Sequence, residues 1–171
     1  MYKKRLFLTL TCIALSFAVL LAAFESLAFA GTVGESAPHF TLKDLDGKDV
    51  SLSSFEGKPV FLNFWMTWCK YCKKERKELD ALHKAYKDKD LVIISVALDR
   101  SKKKVVNFME EYPADFIVLT DSKMKSGAMY GVRGFPATFL IGRDGIIKHK
   151  VSGYREWSSS YSGRIIDKLI K

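Results

Sequence analysis

Cysteine is scarce in this chain, with three residues among 171. Cys12 lies in an apolar N-terminal stretch, so only Cys69 and Cys72 remain for the rest of the chain. A single pair excludes a small scaffold that is held together by several disulfides. Histidine is equally scarce, and its three residues are scattered, so no four-ligand zinc site is expected. We expect neither a bound metal nor another cofactor.

The sequence also lacks a stripe of basic residues interleaved with aromatic residues. Lysine and arginine exceed aspartate and glutamate by 28 to 19, but the excess is spread over many short stretches. One of them follows the cysteine pair and contains Lys70, Lys73, Lys74, Arg76 and Lys77. We therefore predict no nucleic-acid binding and interpret the charges as a solvated surface that favours acidic partners or anionic lipid headgroups.

The N-terminus combines positive charge with a long apolar stretch. Basic residues 3–5 precede apolar residues 6–24, and Ala28-Phe29-Ala30 provides a small-residue cleavage pattern. This order is typical of an export signal, although the apolar stretch is also long enough to be retained as a membrane anchor. We expect residues 1–30 to be a signal peptide or a membrane anchor. Residues 31–171 then form one periplasmic or extracytoplasmic domain, secreted or membrane-anchored.

The cysteine pair follows an apolar segment typical of a strand and precedes a charged segment typical of a helix. If a strand ends near Phe64 and a helix begins at Cys69, the first sulfur lies at the helix N-terminus. There, unpaired backbone N–H groups stabilise a thiolate. Cys72 lies about one turn deeper on the same face, within reach of a disulfide. The spacing predicts thiol–disulfide exchange, in which an exposed Cys69 attacks and Cys72 resolves the mixed disulfide.

Strand-like and helix-like segments alternate through the rest of the chain. A hairpin signal at Asp46-Gly47 opens the domain, and apolar strands at 60–64 and 91–98 flank an amphipathic helix. A second helix, a short strand and a short helix follow. Another hairpin signal at Arg143-Asp144-Gly145 precedes a C-terminal helix. This order predicts an α/β sandwich with a central mixed sheet flanked by helices.

Several motifs together resemble a known family over nearly all of residues 31–171. They are Ala37-Pro38-His39-Phe40 with its hairpin, Asn63-Phe64-Trp65, Trp68-Cys69-Lys70-Tyr71-Cys72 and the segment 130–141 with Gly134-Phe135-Pro136. The chain resembles exported thioredoxin-fold oxidoreductases of the TlpA/ResA-like branch, which are related to AhpC/TSA and Redoxin proteins. The resemblance implies a thioredoxin-like fold with an N-terminal β-hairpin, a redox-active CxxC disulfide and a cis proline at Pro136.

The resemblance also implies where a substrate protein binds. In that family the proline matching Pro136 packs beside the cysteines, and the backbone before it pairs with an incoming chain as an added strand would. Phe135 and Pro136 are therefore expected to contact substrate, together with Trp68, Lys70 and Tyr71 next to the cysteines. The alternatives are an ordinary turn or edge-strand proline and a tryptophan that only packs around the site.

Cys72 needs a group that accepts its proton, because apolar surroundings raise the pKa of a buried thiol. In ordinary thioredoxins a buried acid lies six residues before the first cysteine, where this chain has Asn63. Glu75 is the obvious replacement, since it follows Cys72 by three residues and stays on roughly the same side of the helix. The pairing of Asn63 with Glu75 also matches the ResA-like branch. The alternative is that Glu75 is one more charge on a solvated helix face.

We therefore predict an extracytoplasmic thiol–disulfide oxidoreductase, mainly a reductase of protein disulfides. The resemblance implies a role in cytochrome c biogenesis before haem attachment, with a membrane redox partner that recharges the cysteine pair. An oxidising enzyme with the same residues stays open, because direction depends on reduction potential. So does a thioredoxin-fold metallochaperone that binds Cu(I) at the cysteines with His149 as a third ligand. A peroxiredoxin is disfavoured, since Met66 stands where its threonine is needed.

Overall fold

The structure is a computed structural model, and it describes residues 31–171. The predicted signal peptide or membrane anchor, with Cys12 inside it, lies outside the described residues. Among residues 31–171, no helix has the length and apolar character needed to cross a membrane.

Residues 31–171 form seven strands and four α-helices. The strands are β1 (Thr41–Asp44), β2 (Asp49–Ser51), β3 (Val60–Trp65), β4 (Val92–Ala97), β5 (Ile117–Thr120), β6 (Ala137–Ile141) and β7 (Ile147–Ser152). The helices are α1 (Lys70–Tyr86), α2 (Lys102–Glu111), α3 (Lys125–Met129) and α4 (Ser160–Leu169). The sheet order is β2-β1-β5-β4-β3-β6-β7. Strands β3, β4 and β5 are parallel and the other pairings are antiparallel, which confirms the predicted thioredoxin-like mixed sheet.

The N-terminal hairpin forms where the Asp46-Gly47 signal predicts it. Strands β1 and β2 pair antiparallel with Thr41 opposite Ser51, and Gly47 adopts a φ of +90°, which glycine reaches without steric cost. Leu52, directly after β2, begins a short 3-10 helix and buries its side chain. The hairpin adds an antiparallel edge to the sheet next to β5.

Strand β3 lies at the centre of the molecule, and all six of its residues are buried. Its side chains alternate between the two faces of the sheet, as in any strand. Phe61 and Trp65 join the cluster under α1 and α4, while Leu62 and Phe64 join the cluster on the opposite face. Asn63 therefore points toward the α1 side, although it is polar and buried.

Three segments meet at one edge of the sheet. Because β3 and β4 are parallel, the loops that follow Trp65 and Ala97 leave the sheet at the same edge. Strand β6 runs antiparallel to β3 and begins with Ala137 opposite Phe64. The Phe135-Pro136 segment that precedes β6 therefore also lies at this edge, beside the cysteines.

Candidate active site

The two cysteines form a disulfide at the N-terminus of α1. Cys69 is the N-cap residue of this helix, in an extended conformation, and α1 begins one residue later at Lys70. The Cys72 backbone N–H donates a hydrogen bond to the Cys69 Sγ at 3.1 Å. This N–H group belongs to the first turn of the helix and has no backbone partner there, so it is available to the sulfur. It stabilises negative charge on Cys69 once the disulfide is opened.

Both cysteines are enclosed in this disulfide form. Cys69 is 5% exposed and Cys72 is 6% exposed, so the expected contrast between an exposed and a buried cysteine is absent from this oxidised structure. The reason is packing, since both residues belong to the core cluster that contains Trp65, with Met66 and Phe135 against it. The surface that an incoming protein meets is therefore formed mainly by the neighbours of the cysteines.

Glu75 lies on α1 one turn beyond Cys72 and is only 1% exposed. Three N–H groups donate hydrogen bonds to its carboxylate. The Asn63 amide donates to Oε2 at 3.1 Å, and the Trp157 indole and the Arg155 backbone donate to Oε1 at 3.0 and 3.1 Å. This carboxylate does not belong to a solvated helix face, which was the alternative interpretation of Glu75.

Opposing effects act on the acidity of Glu75. Burial removes water from the carboxylate and raises its pKa from 4.5 to about 7, although the bonds from Trp157, Arg155 and Asn63 lower it. A carboxyl group with a pKa of about 7 accepts and releases a proton near neutral pH. The structure therefore places a buried carboxyl group with a pKa near neutral pH on the same helix as Cys72.

Trp157 and Arg155 are two site residues that sequence reasoning missed. Trp157 follows Glu75 by 82 positions and reaches it from the loop before α4. No spacing pattern connects the two residues, and an isolated tryptophan is usually interpreted as core. The sequence draws attention to Asn63 only because ordinary thioredoxins have a buried acid at this position. In the structure the Asn63 amide donates hydrogen bonds to Glu75 and, at 3.0 Å, to the Thr138 hydroxyl.

The loop between β3 and the cysteines is held by the end of β4. The buried Asp99 carboxylate accepts hydrogen bonds from the Thr67 backbone N–H at 2.9 Å and from the Thr67 hydroxyl at 2.7 Å. Asp99 therefore fixes the segment that leads into Cys69. No motif in the sequence assigns Asp99 this role.

The residues predicted to contact substrate surround the disulfide. Trp68 is 69% exposed and Tyr71 is 60% exposed, and Lys70 between the cysteines is exposed as well. The Trp68 ring contacts the half-buried Phe135 edge to face, with centroids 6.1 Å apart. Pro136 is buried, and its peptide bond with Phe135 is cis. Trp68 therefore lies on the surface rather than in the core.

The histidine considered for copper lies on β7. His149 is exposed and pairs with Leu140, three residues along β6 from Ala137. Within the described part of the chain, no three histidine, cysteine, aspartate or glutamate side chains come together as a metal site. The fold therefore does not bring His149 together with Cys69 and Cys72 as a three-ligand site.

Comparison with known proteins connects this geometry to an activity. The sequence profile of the AhpC/TSA family matches residues 33–150. The chain is 40% identical over 121 residues to the thiol-disulfide oxidoreductase ResA of Bacillus cereus, covering 71% of this chain and 70% of that protein. It is 37% identical over 155 residues to ResA of Bacillus subtilis, covering 88% and 87%. A crystal structure of a putative thiol:disulfide interchange protein DsbE from Chlorobium tepidum is similar with a TM-score of 0.77, at 31% identity, over 82% of this chain and 99% of that one.

Proposed function

We propose that this chain, which belongs to the AhpC/TSA family and is a ResA-like thiol–disulfide oxidoreductase, reduces protein disulfides outside the cytoplasm. The observation that carries the exchange chemistry is the buried Glu75 on the helix of the cysteines, whose pKa of about 7 suits it to take the proton of a resolving thiol at neutral pH. Resemblance to the ResA-like branch favours the reducing direction. Thiol–disulfide exchange needs such a group because the resolving cysteine must ionise inside an apolar environment.

The proposed reaction has two exchange steps. In the reduced protein, the Cys69 thiolate attacks a substrate disulfide, forms a mixed disulfide and releases one substrate thiolate. Cys72 then loses its proton toward Glu75, attacks the Cys69 sulfur and releases the second substrate thiolate. Two electrons pass from the protein dithiol to the substrate disulfide. Glu75 then returns the proton to solvent or to the departing thiolate.

A dithiol of a membrane redox partner would restore the reduced state. Export of the chain is supported by the basic and apolar pattern of residues 1–30. Resemblance to the ResA-like branch favours cysteines of apocytochrome c as substrates before haem attachment. Trp68, Lys70, Tyr71, Phe135 and Pro136 would contact the substrate chain, since they surround the disulfide.

An equilibrium redox titration tests the direction of the reaction. The full chain is equilibrated in buffers of fixed dithiol and disulfide ratio, and the oxidation state of Cys69 and Cys72 is measured after acid quenching. A reductase should give a potential near that of thioredoxin, about −270 mV, or below it. A potential near that of a strong oxidant, about −120 mV, would contradict reduction and favour the oxidising alternative.

Two serine variants test which sulfur attacks. Cys72→Ser should accumulate mixed disulfides with protein substrates, because nothing resolves the bond at Cys69. Cys69→Ser should trap none. Trapping by Cys69→Ser at the level of Cys72→Ser would reverse the assignment of the two cysteines. Non-reducing electrophoresis, with and without a later dithiol treatment, distinguishes the two results.

A further inference from the structure

The exposed charges in the loops around the disulfide all have the same sign. Three loops meet at this edge of the sheet, at residues 66–70, 98–101 and 131–136. Their exposed charged side chains are Lys70, Arg100 and Arg133. The acid in these loops, Asp99, is buried and occupied by its two bonds to Thr67.

The first turns of α1 extend the same charge. Lys73 and Lys74 are exposed there, and the first turn of α1 contains no acidic residue. The nearest acid on the helix, Glu75, is buried. We call Lys70, Lys73, Lys74, Arg100 and Arg133 the basic rim.

None of the basic rim residues has an anionic partner within residues 31–171. The salt bridges of this part of the chain use other cations, such as Lys43 with Asp49 and Arg143 with Asp90. Lys74 instead lies over the Tyr154 ring at 4.2 Å, and the exposed Glu156 in the same loop forms no salt bridge. Like charges gathered around one site raise the local concentration of anionic partners.

Exposed aromatic side chains lie in the same loops and helix turn as the basic rim. Trp68 and Tyr71 flank Cys69 with most of their area exposed, and Phe135 contacts Trp68 from the opposite loop. Exposed aromatic side chains inside a charged border are typical of protein-binding surfaces. We propose that the preferred partner of this protein is a cysteine-bearing protein segment with acidic residues beside the cysteine. This inference rests on the proposed function and names its substrate class.

A protein partner fits this surface better than a bilayer does. The basic rim residues lie in the loops and helix turns that carry or adjoin the disulfide, so contact with an anionic membrane through the same residues would cover Cys69 and block exchange. An acidic peptide that contacts the rim instead brings its own sulfur to Cys69. Electrostatic complementarity of this kind acts mainly on the rate of association.

The test compares three peptide disulfides of equal length whose residues beside the cysteine are acidic, neutral or basic. The reduced full chain is mixed with each peptide, and the second-order rate of thiol release is measured. Each reaction oxidises one protein dithiol and reduces one peptide disulfide. The acidic peptide should react about tenfold faster than the basic one at low ionic strength. The difference should shrink as salt shortens the range of the charges.

A charge-reversed pair of variants links the preference to the rim. Lys73→Glu combined with Arg133→Glu should remove or invert the preference. Lys168→Glu, an exposed residue of α4, should leave it unchanged. Equal rates for the three peptides would overturn the acidic preference while leaving the proposed function intact. No reaction with any peptide would contradict the proposed function itself, and this inference with it.

Vesicle binding distinguishes an acidic protein partner from an anionic membrane as the partner of the basic rim. The full chain and the double variant are compared on vesicles of phosphatidylcholine with and without phosphatidylglycerol. Rim-dependent binding to the anionic vesicles, together with equal peptide rates, would overturn the proposal in favour of a membrane surface. A peptide preference that the double variant abolishes, with vesicle binding unaffected by that variant, would support it.

Discussion

At the scale of single residues, Glu75 is the side chain to which the proposed reaction assigns the transfer of the Cys72 proton. Its three hydrogen-bond donors favour the carboxylate, whereas its burial favours the neutral acid. The balance keeps its pKa near 7 rather than at either extreme. A carboxyl group held this way changes protonation state within the pH range in which thiols are exchanged.

Replacing Glu75 by glutamine tests this role. Glu75→Gln removes the proton acceptor, so exchange near pH 7 should slow by about tenfold or more, and the pH–rate profile should move to higher pH. The measurement is the rate of disulfide exchange between pH 5 and 9. Glu110→Gln is the matched control, because Glu110 is an exposed carboxylate on α2 and makes none of the contacts of Glu75. An unchanged profile in Glu75→Gln would show that the residue does not serve the cysteines.

Sequence alone could identify the cysteines and Glu75 because their spacing is local. Residues three apart on a helix share a side, and this relation needs no tertiary information. Trp157 could not be found in this way, since only folding brings the loop before α4 against α1. The burial of Cys69 could not be predicted from the sequence either, because it results from packing with Trp65, Met66 and Phe135.

At the scale of elements, the site lies at the edge of the sheet where α1 begins, between the loop after β4 and the loop before β6. Helix α1 presents its first N–H groups to the Cys69 sulfur, and β4 holds the preceding loop through Asp99 and Thr67. The Asp-Gly turns and the apolar runs made both hairpins and the parallel strands predictable. The contact between Asp99 and Thr67 was not predictable, because it joins the loops after β4 and β3, which are neighbours in the sheet but not in the sequence.

Removing the Asp99 carboxylate should destabilise this edge. Asp99→Ala leaves the Thr67 N–H and hydroxyl without their acceptor, and the free energy of unfolding should fall by about 2 kcal/mol. Urea denaturation with the disulfide intact measures the change. Asp88→Ala removes an exposed carboxylate after α1 and should change stability little. Equal stability of the two variants would mean that Asp99 does not hold the loop.

At the scale of the whole molecule, the buried Glu75 makes stability depend on pH. Its pKa is about 7 in the folded protein against an ordinary value of 4.5, so the folded state holds this proton more tightly than the unfolded chain. The stabilisation is therefore full below pH 4.5 and is lost as pH rises through about 7. At about 1.4 kcal/mol per pKa unit, the loss is on the order of 3 kcal/mol.

This dependence is measured as the difference between the wild-type protein and Glu75→Gln. Glutamine carries no titrating proton, so its free energy of unfolding should lack the decline that the wild type shows between pH 4.5 and 7. Other titrating groups contribute equally to both proteins and cancel in the difference. Parallel curves for the two proteins would contradict the raised pKa.

Reversible cycling of Cys69 and Cys72 between disulfide and dithiol is the property on which every other role depends. Alkylation of the full chain, followed by peptide mapping so that Cys12 is counted separately, measures this directly. We predict that neither Cys69 nor Cys72 is alkylated in the oxidised protein, that both are alkylated after treatment with a dithiol, and that both are protected again after a protein disulfide is added. A bond that resists the dithiol, or reduced cysteines that no reagent or protein disulfide reaches, would contradict thiol–disulfide exchange at this site.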